Sequence, residues 1–239
     1  MKNMDRRALL CGIAIAVLAA ASRSPTVRGF PTQKMPHPVG VLTRLPGADN
    51  QLALTIDDGA SGQVVGAFAD FCRDSGIRLT FFVNGANSSW SVNAPALRPM
   101  VDSGQIQMGN HTWSHPDITR IGSAAVAGQI RRNADFLRNT YGVDGTPYFR
   151  PPFGRHTTAT DRIAADQGYA TIALWSGSLG DSVPISDAGL ITAAQKSLLP
   201  HQIVLGHANL PTVTRCFPQL LDIIRSRNLQ TVTLNDVFA

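Results

Sequence analysis

The chain contains no glutamate, so all of its side-chain carboxylates belong to 16 aspartates. Any carboxylate chemistry it performs is therefore aspartate chemistry. Lysine is nearly missing as well: Lys2, Lys34 and Lys196 stand against 18 arginines. The formal net charge of +5 suits a weakly anionic partner. With no basic run and no basic–aromatic stripe, it gives no basis for nucleic acid as a partner. Charged residues make up only 15% of the chain and hydrophobic residues 44%. That balance excludes a disordered or coiled-coil protein and leaves material for a large core. The longest apolar run, residues 8–20, is too short to span a bilayer, so no membrane span is expected. A length of 239 residues allows one large domain or two small ones.

Residues 1–21 read as an export signal, with Lys2, Arg6 and Arg7 at the start, the apolar run behind them, and Ala19-Ala20-Ala21 as a cleavage site. Arg6-Arg7-Ala8-Leu9-Leu10 resembles a twin-arginine signal; an ordinary secretory signal carrying two arginines is the alternative. The mature protein would then be periplasmic, cell-wall associated or extracellular. Losing Lys2, Arg6, Arg7 and Asp5 lowers its charge from +5 to +3. Two cysteines would remain, Cys72 and Cys216. In an oxidising compartment they are either a disulfide or two buried thiols.

Residues 22–50, rich in Pro, Gly and Arg, read as a linker and an irregular lead-in. From residue 51 to 239 apolar strands and amphipathic helices alternate. Strands are expected at 52–56, 79–83, 106–108, 148–149, 171–174, 203–205 and 231–233, and helices at 64–75, 94–103, 124–141, 156–167, 188–198 and 217–227. About seven strands, most followed by a helix, describe an α/β protein with a parallel sheet, closed or doubly wound.

The chemistry-bearing residues follow these strands, where parallel α/β folds place their sites. The strand 52–56 runs into Asp57-Asp58-Gly59. Two adjacent carboxylates at a buried strand end need neutralising, as a metal on one and an arginine beside the other would do; a solvated turn is the plainer reading. After 106–108 come His111 and His115, whose spacing lets both imidazoles face one cation. With Asp58 they make a three-ligand set that leaves coordination positions open. Arg150-Pro151-Pro152-Phe153-Gly154 is a rigid turn able to fix a guanidinium and present a main-chain N–H. His207 ends the strand 203–205, and Trp175 to Asp181 follow 171–174.

In this order and spacing the segments resemble the polysaccharide deacetylase family, carbohydrate esterase family 4, from about residue 51 to the C-terminus. The family's Thr-Phe-Asp-Asp-Gly stands here as Thr55-Ile56-Asp57-Asp58-Gly59, its His-[Ser/Thr]-x-x-His as His111 to His115, its Arg-x-Pro-[Tyr/Phe]-Gly as Arg150 to Gly154, and its Leu-x-His as Leu205-Gly206-His207. The resemblance implies a single catalytic domain, a distorted (β/α) barrel of about seven parallel strands. It implies Asp57 as general base oriented by Arg150, and His207 as general acid. Asp58, His111 and His115 would be ligands of Zn2+ or another divalent transition metal such as Co2+. The main-chain N–H of Phe153 would face the oxyanion, next to Gly154, and Leu205 would form an apolar wall. The family's Asp-x-x-Asp-Trp is altered to Ser178-Leu179-Gly180-Asp181-Ser182. Asp181 is then the carboxylate that tunes His207, while the lost aromatic wall falls to Trp113, Phe153 or Trp175. His37, His156 and His201 are expected to have no catalytic role. Around a closed barrel the helices bearing Cys72 and Cys216 would be neighbours, so a disulfide there would tie the closure.

The implied activity is hydrolysis of N-acetyl groups on a β-1,4-linked amino-sugar polymer by a monomer, with peptidoglycan N-acetylglucosamine as the foremost substrate. Chitooligosaccharides, an O-acetyl esterase activity on acetylated xylan, and a non-catalytic wall-binding relative are the alternatives.

Overall fold

The structure, a computed structural model, describes residues 34–239. The expected export signal and residues 22–33 of the linker lie outside the described residues.

The central strand, β2 (Gln51–Asp58), is buried at every position but the last. A strand this apolar must be covered on both faces, which the parallel α/β arrangement provides. Parallel neighbours flank it, β3 (Leu79–Val83) and β8 (Ile203–His207). Around the sheet the order is β1 (Gly40–Leu42), β6 (Thr171–Ala173), β5 (Tyr148–Phe149), β4 (Ile106–Asn110), β3, β2, β8 and β7 (Gly177–Ser178), all in parallel register, with β9 (Gln230–Thr231) added at the start of β2. The sheet curls into a distorted (β/α) barrel of eight strands forming a single domain.

The helices pack outside: α1 (Gly62–Ser75), α2 (Ser89–Val92), α3 (Ala94–Asp102), α4 (Ser123–Tyr141), α5 (Thr158–Ala165), α6 (Asp187–Ser197), α7 (Thr212–Arg215), α8 (Phe217–Ser226) and α9 (Leu234–Val237). In α1 the helical repeat puts Val64, Val65, Phe68, Ala69 and Cys72 on the buried face. The Ser61 side chain accepts from the Val64 N–H at one end, and Gly76, at φ 74°, closes the other. Phe68 meets Phe81 and Phe217 edge-on, at ring distances of 6.0 and 4.8 Å.

Two apolar layers result. Leu52, Leu54 and Ile56 of β2 and Val204 of β8 join the layer under the helices. Ala53 of β2, Phe82, Tyr148, Ala173 and Ile203 fill the barrel interior. Side chains alternate along a strand, so Thr55 and Asp57 share the interior face with Ala53, and Leu205 and His207 share it with Ile203. The catalytic candidates thus sit at the top of the barrel filling.

Residues 40–42, within the expected irregular lead-in, form β1 on the edge of β6. The chain then crosses towards β8, where Arg44 bridges Gln202 and the Leu45 N–H donates to the His201 carbonyl at 2.9 Å. No helix among the described residues is long and apolar enough to cross a membrane.

The disulfide expectation is corrected: Cys72 and Cys216 are both buried and both free. Cys72 lies inside the helix-covered layer, and burial pushes its thiol up to about 12. The Cys216 thiol instead points at the Asp187 carbonyl, 3.9 Å away at the start of α6.

Candidate active site

Asp57 and His207 are paired partners at the C-terminal ends of β2 and β8. Each has a buried counterpart. The Arg150 guanidinium, 0% exposed, lies inside the barrel over the Phe82 ring at 4.0 Å. It donates from Nη1 to Asp57 Oδ1 at 2.7 Å and to Thr55 Oγ1 at 2.9 Å. Its Nε and Nη2 donate to the carbonyls of Ala173 and Leu174 at 2.8 and 3.1 Å. A buried cation held by four acceptors has little freedom, so Asp57 Oδ1 is pinned and Oδ2 faces the site. Asp181, 2% exposed, grips His207 twice: Oδ1 lies 2.9 Å from Nδ1, and Oδ2 accepts the His207 main-chain N–H at 3.0 Å. Burial opposes charge on this imidazole. The bond to Asp181 and the charges of Asp57, Asp181 and Asp58 outweigh it, and the His207 pKa is raised.

Beside this pair, Asp58, His111 and His115 bring one ligand atom each to within 4.8 Å of one another. Asp58 Oδ1 lies 3.3 Å from His111 Nε2 and 3.4 Å from His115 Nε2. His111 Nδ1 lies 2.6 Å from the Arg150 carbonyl. A carbonyl only accepts, so the proton sits on Nδ1 and the Nε2 lone pair faces Asp58. Asp58 Oδ1 is buried and has no hydrogen-bond partner. A buried carboxylate oxygen without a donor is costly, and a cation between it and the two Nε2 atoms would satisfy all three. The donor set of one carboxylate and two imidazoles fits a divalent transition metal.

The charge balance agrees. Burial works against ionisation of Asp58, but the neighbouring His111 and His115 imidazoles and the Asn209 amide hold its carboxyl well below the usual range. Burial likewise resists charge on His111, yet Asp57 and Asp58 raise its pKa, while burial and His111 lower that of His115. The two aspartates thus favour positive charge beside His111 Nε2, where a cation would sit.

The backbone is bent to make this set. Asp58, Thr112, His115 and Phe153 take φ values of 71°, 68°, 58° and 60°, a region costly for non-glycine residues and tolerated where surroundings enforce it. The Asp58 carbonyl is held by Asn87 Nδ2 at 3.0 Å and Trp90 Nε1 at 2.9 Å. Asn84 Nδ2 donates to the carbonyls of His111 and Thr112. Asn110 accepts from the Thr112 N–H at 3.0 Å and from Asn133 at 2.9 Å, and donates to the Tyr169 hydroxyl at 2.9 Å.

The remaining expected residues fall into two groups. Phe153, 58% exposed, packs edge-on against His115 at 4.5 Å, so it borders the site. Trp175 lies against Gly154, where an added Cβ would come within 2.9 Å of its ring, and near the Arg150 guanidinium at 5.7 Å. Leu205 is buried one turn of the pleat below His207. Trp113 departs from expectation. It turns towards α4, edge-on to Phe136 at 5.9 Å and beneath the Arg132 guanidinium at 4.0 Å. Its main-chain position between two ligands does not carry its ring into the cleft. His156 is tied to Asp161 at 2.9 Å.

Sequence reasoning missed Thr55, Asn84, Asn110, Asn133 and Asn209. The usable signal was an asparagine at the end of each of two apolar strands, Asn84 directly after β3 and Asn110 as the last residue of β4, where a buried amide needs several partners.

Comparison with known proteins identifies the family. Residues 45–172, over half of the chain, match the family model described as polysaccharide deacetylase. The chain belongs to the polysaccharide deacetylase family. It is 28% identical over 195 residues to the peptidoglycan-N-acetylglucosamine deacetylase PgdA of Listeria monocytogenes, covering 80% of this chain and 39% of that protein. It is 26% identical over 209 residues to a chitin deacetylase of Arthroderma benhamiae, covering 83% and 54%. The solved Bc1960 peptidoglycan N-acetylglucosamine deacetylase superposes with a TM-score of 0.74 at 22% identity, covering 84% of this chain and 92% of that one, which supports the fold. The chain spans about half the length of the curated relatives it matches.

Proposed function

We propose that this chain, a member of a deacetylase family, is a metal-dependent N-deacetylase of a β-1,4-linked amino-sugar polymer, with peptidoglycan N-acetylglucosamine as its substrate. One observation carries the reading. A carboxylate fixed by a buried arginine and an imidazole fixed by a buried carboxylate end neighbouring strands, beside a carboxylate–imidazole–imidazole set with an unsatisfied oxygen.

Asp58, His111 and His115 would hold zinc, or another divalent metal such as cobalt. A cation bound there would polarise the acyl carbonyl and acidify water. Asp57, with Oδ1 anchored on Arg150, accepts the proton of the attacking water through Oδ2. The main-chain N–H of Phe153 donates to the oxyanion. His207, its Nδ1 engaged by Asp181, passes the proton on Nε2 to the leaving amine. Phe153, Gly154, Trp175 and Leu205 border the acetyl-bearing sugar. Peptidoglycan is favoured by the likeness to PgdA, the signal-like residues 1–21, and the weakly basic mature chain, which suits an anionic wall. Export and a monomeric state belong to the same proposal. The likeness to a chitin deacetylase supports chitooligosaccharides as the second reading.

The test is acetate release by the zinc-loaded protein from purified peptidoglycan, N-acetylglucosamine oligomers and acetylated xylan. Fastest release from peptidoglycan is expected. Release confined to xylan would replace the amidase by an esterase, and release from none would leave a non-catalytic wall-binding relative.

A further inference from the structure

We infer that Asn209 is a positioning residue that selects which oxygen of Asp58 faces the metal set and so sets metal affinity; the inference rests on the metal-site reading above. Asn209 lies just past β8, two residues beyond His207, and reaches back to the loop after β2. Its Oδ1 accepts the main-chain N–H of Ala60 at 2.9 Å. Its Nδ2 donates to Asp58 Oδ2 at 2.7 Å. The amide orientation follows from the chemistry: a main-chain N–H can only donate, so Oδ1 must face Ala60 and the NH2 must face the carboxylate.

Two consequences follow. Asp58 Oδ2 is occupied by a donor, which leaves Oδ1 as the oxygen lying 3.3 and 3.4 Å from the two imidazole Nε2 atoms. Oδ1 is also the buried oxygen with no partner of its own. The carboxylate is therefore presented through one oxygen, with its plane fixed from behind. Fixing it matters because Asp58, the last residue of β2, sits at φ 71°, a conformation its own backbone preference would not hold in place. The clamp also joins the end of β8, which carries His207, to the end of β2, which carries Asp57 and Asp58. One amide thus couples the metal ligand to the strand pair bearing the proton-handling residues. Outer partners that orient a ligand commonly change metal affinity by about 10–100-fold when removed.

Asn209→Leu removes both hydrogen bonds at similar size. Asn209→Asp keeps the shape and the acceptor for Ala60 but sets a carboxylate against Asp58. Zinc affinity of the full chain is measured by competition with a chelator, and the visible spectrum of the cobalt-substituted protein reports the ligand geometry. Both variants should bind zinc about 10–100-fold more weakly than wild type, Asn209→Asp the more so, with an altered cobalt spectrum. Unfolding of the metal-free proteins checks that each variant is folded. A general structural role would lower the metal-free stability and leave the cobalt spectrum of the folded protein unchanged, which would overturn the inference. Wild-type zinc binding matched by both variants would overturn it alone, with the proposed function intact. A wild-type chain that retained no zinc would sink both.

Discussion

At the residue scale the candidate site repeats one device: a polar side chain is held from behind by a buried partner, which leaves a single atom facing the site. Arg150 does this to Asp57, Asp181 to His207, and the Arg150 carbonyl to His111. The Asp181 contact has a readable pH consequence. In the proposed mechanism His207 must be protonated to act as acid, and its pKa is raised by Asp181 against the effect of burial. Activity is therefore present below that raised pKa and lost as pH rises through it. Asp181→Asn removes a charge that favours the imidazolium, so the alkaline limb of the kcat profile should move to lower pH; an unmoved limb would separate Asp181 from the acid. The six central side chains stood out in the sequence because each follows an apolar strand, and the family resemblance supplied the roles proposed for them. The asparagines did not, since an asparagine at a strand end reads as a turn signal whether or not it is buried. Trp113 misled for a related reason: spacing locates its backbone between two ligands, but packing against Phe136 and Arg132 decides where the ring goes.

At the scale of elements, function lives where strands end and the next segment turns sharply. Gly59 shows how little room that turn has. It takes φ 83°, and a Cβ there would lie 2.4 Å from the indole of Trp90, the residue whose Nε1 holds the Asp58 carbonyl. Gly59→Ala should cost about 1–3 kcal/mol, as overpacking does, and loosen Asp58. An unchanged urea midpoint would refute this close approach. The helix caps offer a milder probe: Ser61→Ala removes the side-chain acceptor of the Val64 N–H and should cost about 1 kcal/mol. The long elements were readable from periodicity to within a residue or two. The strands 52–56, 106–108 and 203–205 proved longer at their catalytic ends, as β2, β4 and β8 run on to Asp58, Asn110 and His207. The polar residues there broke the apolar pattern while keeping the ladder hydrogen bonds. Short pieces escaped notice, among them β1, β7, α2 and α7, because two to four residues carry no period.

At the scale of the whole molecule, the parallel barrel gathers the proposed metal ligands from distant parts of the chain, Asp58 at the end of β2 and His111 and His115 in the segment after β4. Binding a cation there adds a cross-link that the unfolded chain lacks. Free zinc at about 100 times its dissociation constant should stabilise the fold by about 2.7 kcal/mol, and so raise Tm by roughly 5–10 °C in a chain of this size. A chelator should reverse the rise, and a melting curve indifferent to both would argue against the metal set. The parallel α/β class was legible from the strand–helix alternation, which left closed and doubly wound sheets open; the barrel was implied by the family resemblance. The expected Cys72–Cys216 tie was not built, because the Cys216 thiol turns to α6 and the two sulfurs stay free. The division of labour between the two adjacent aspartates is the centre of the account, and bound metal and acetate release measured together on Asp57→Asn and Asp58→Ala test it most directly. Asp57→Asn should keep its zinc and lose activity by about 10²-fold or more, while Asp58→Ala should lose zinc and activity together. Normal turnover by Asp57→Asn, or full zinc content in Asp58→Ala, would contradict it.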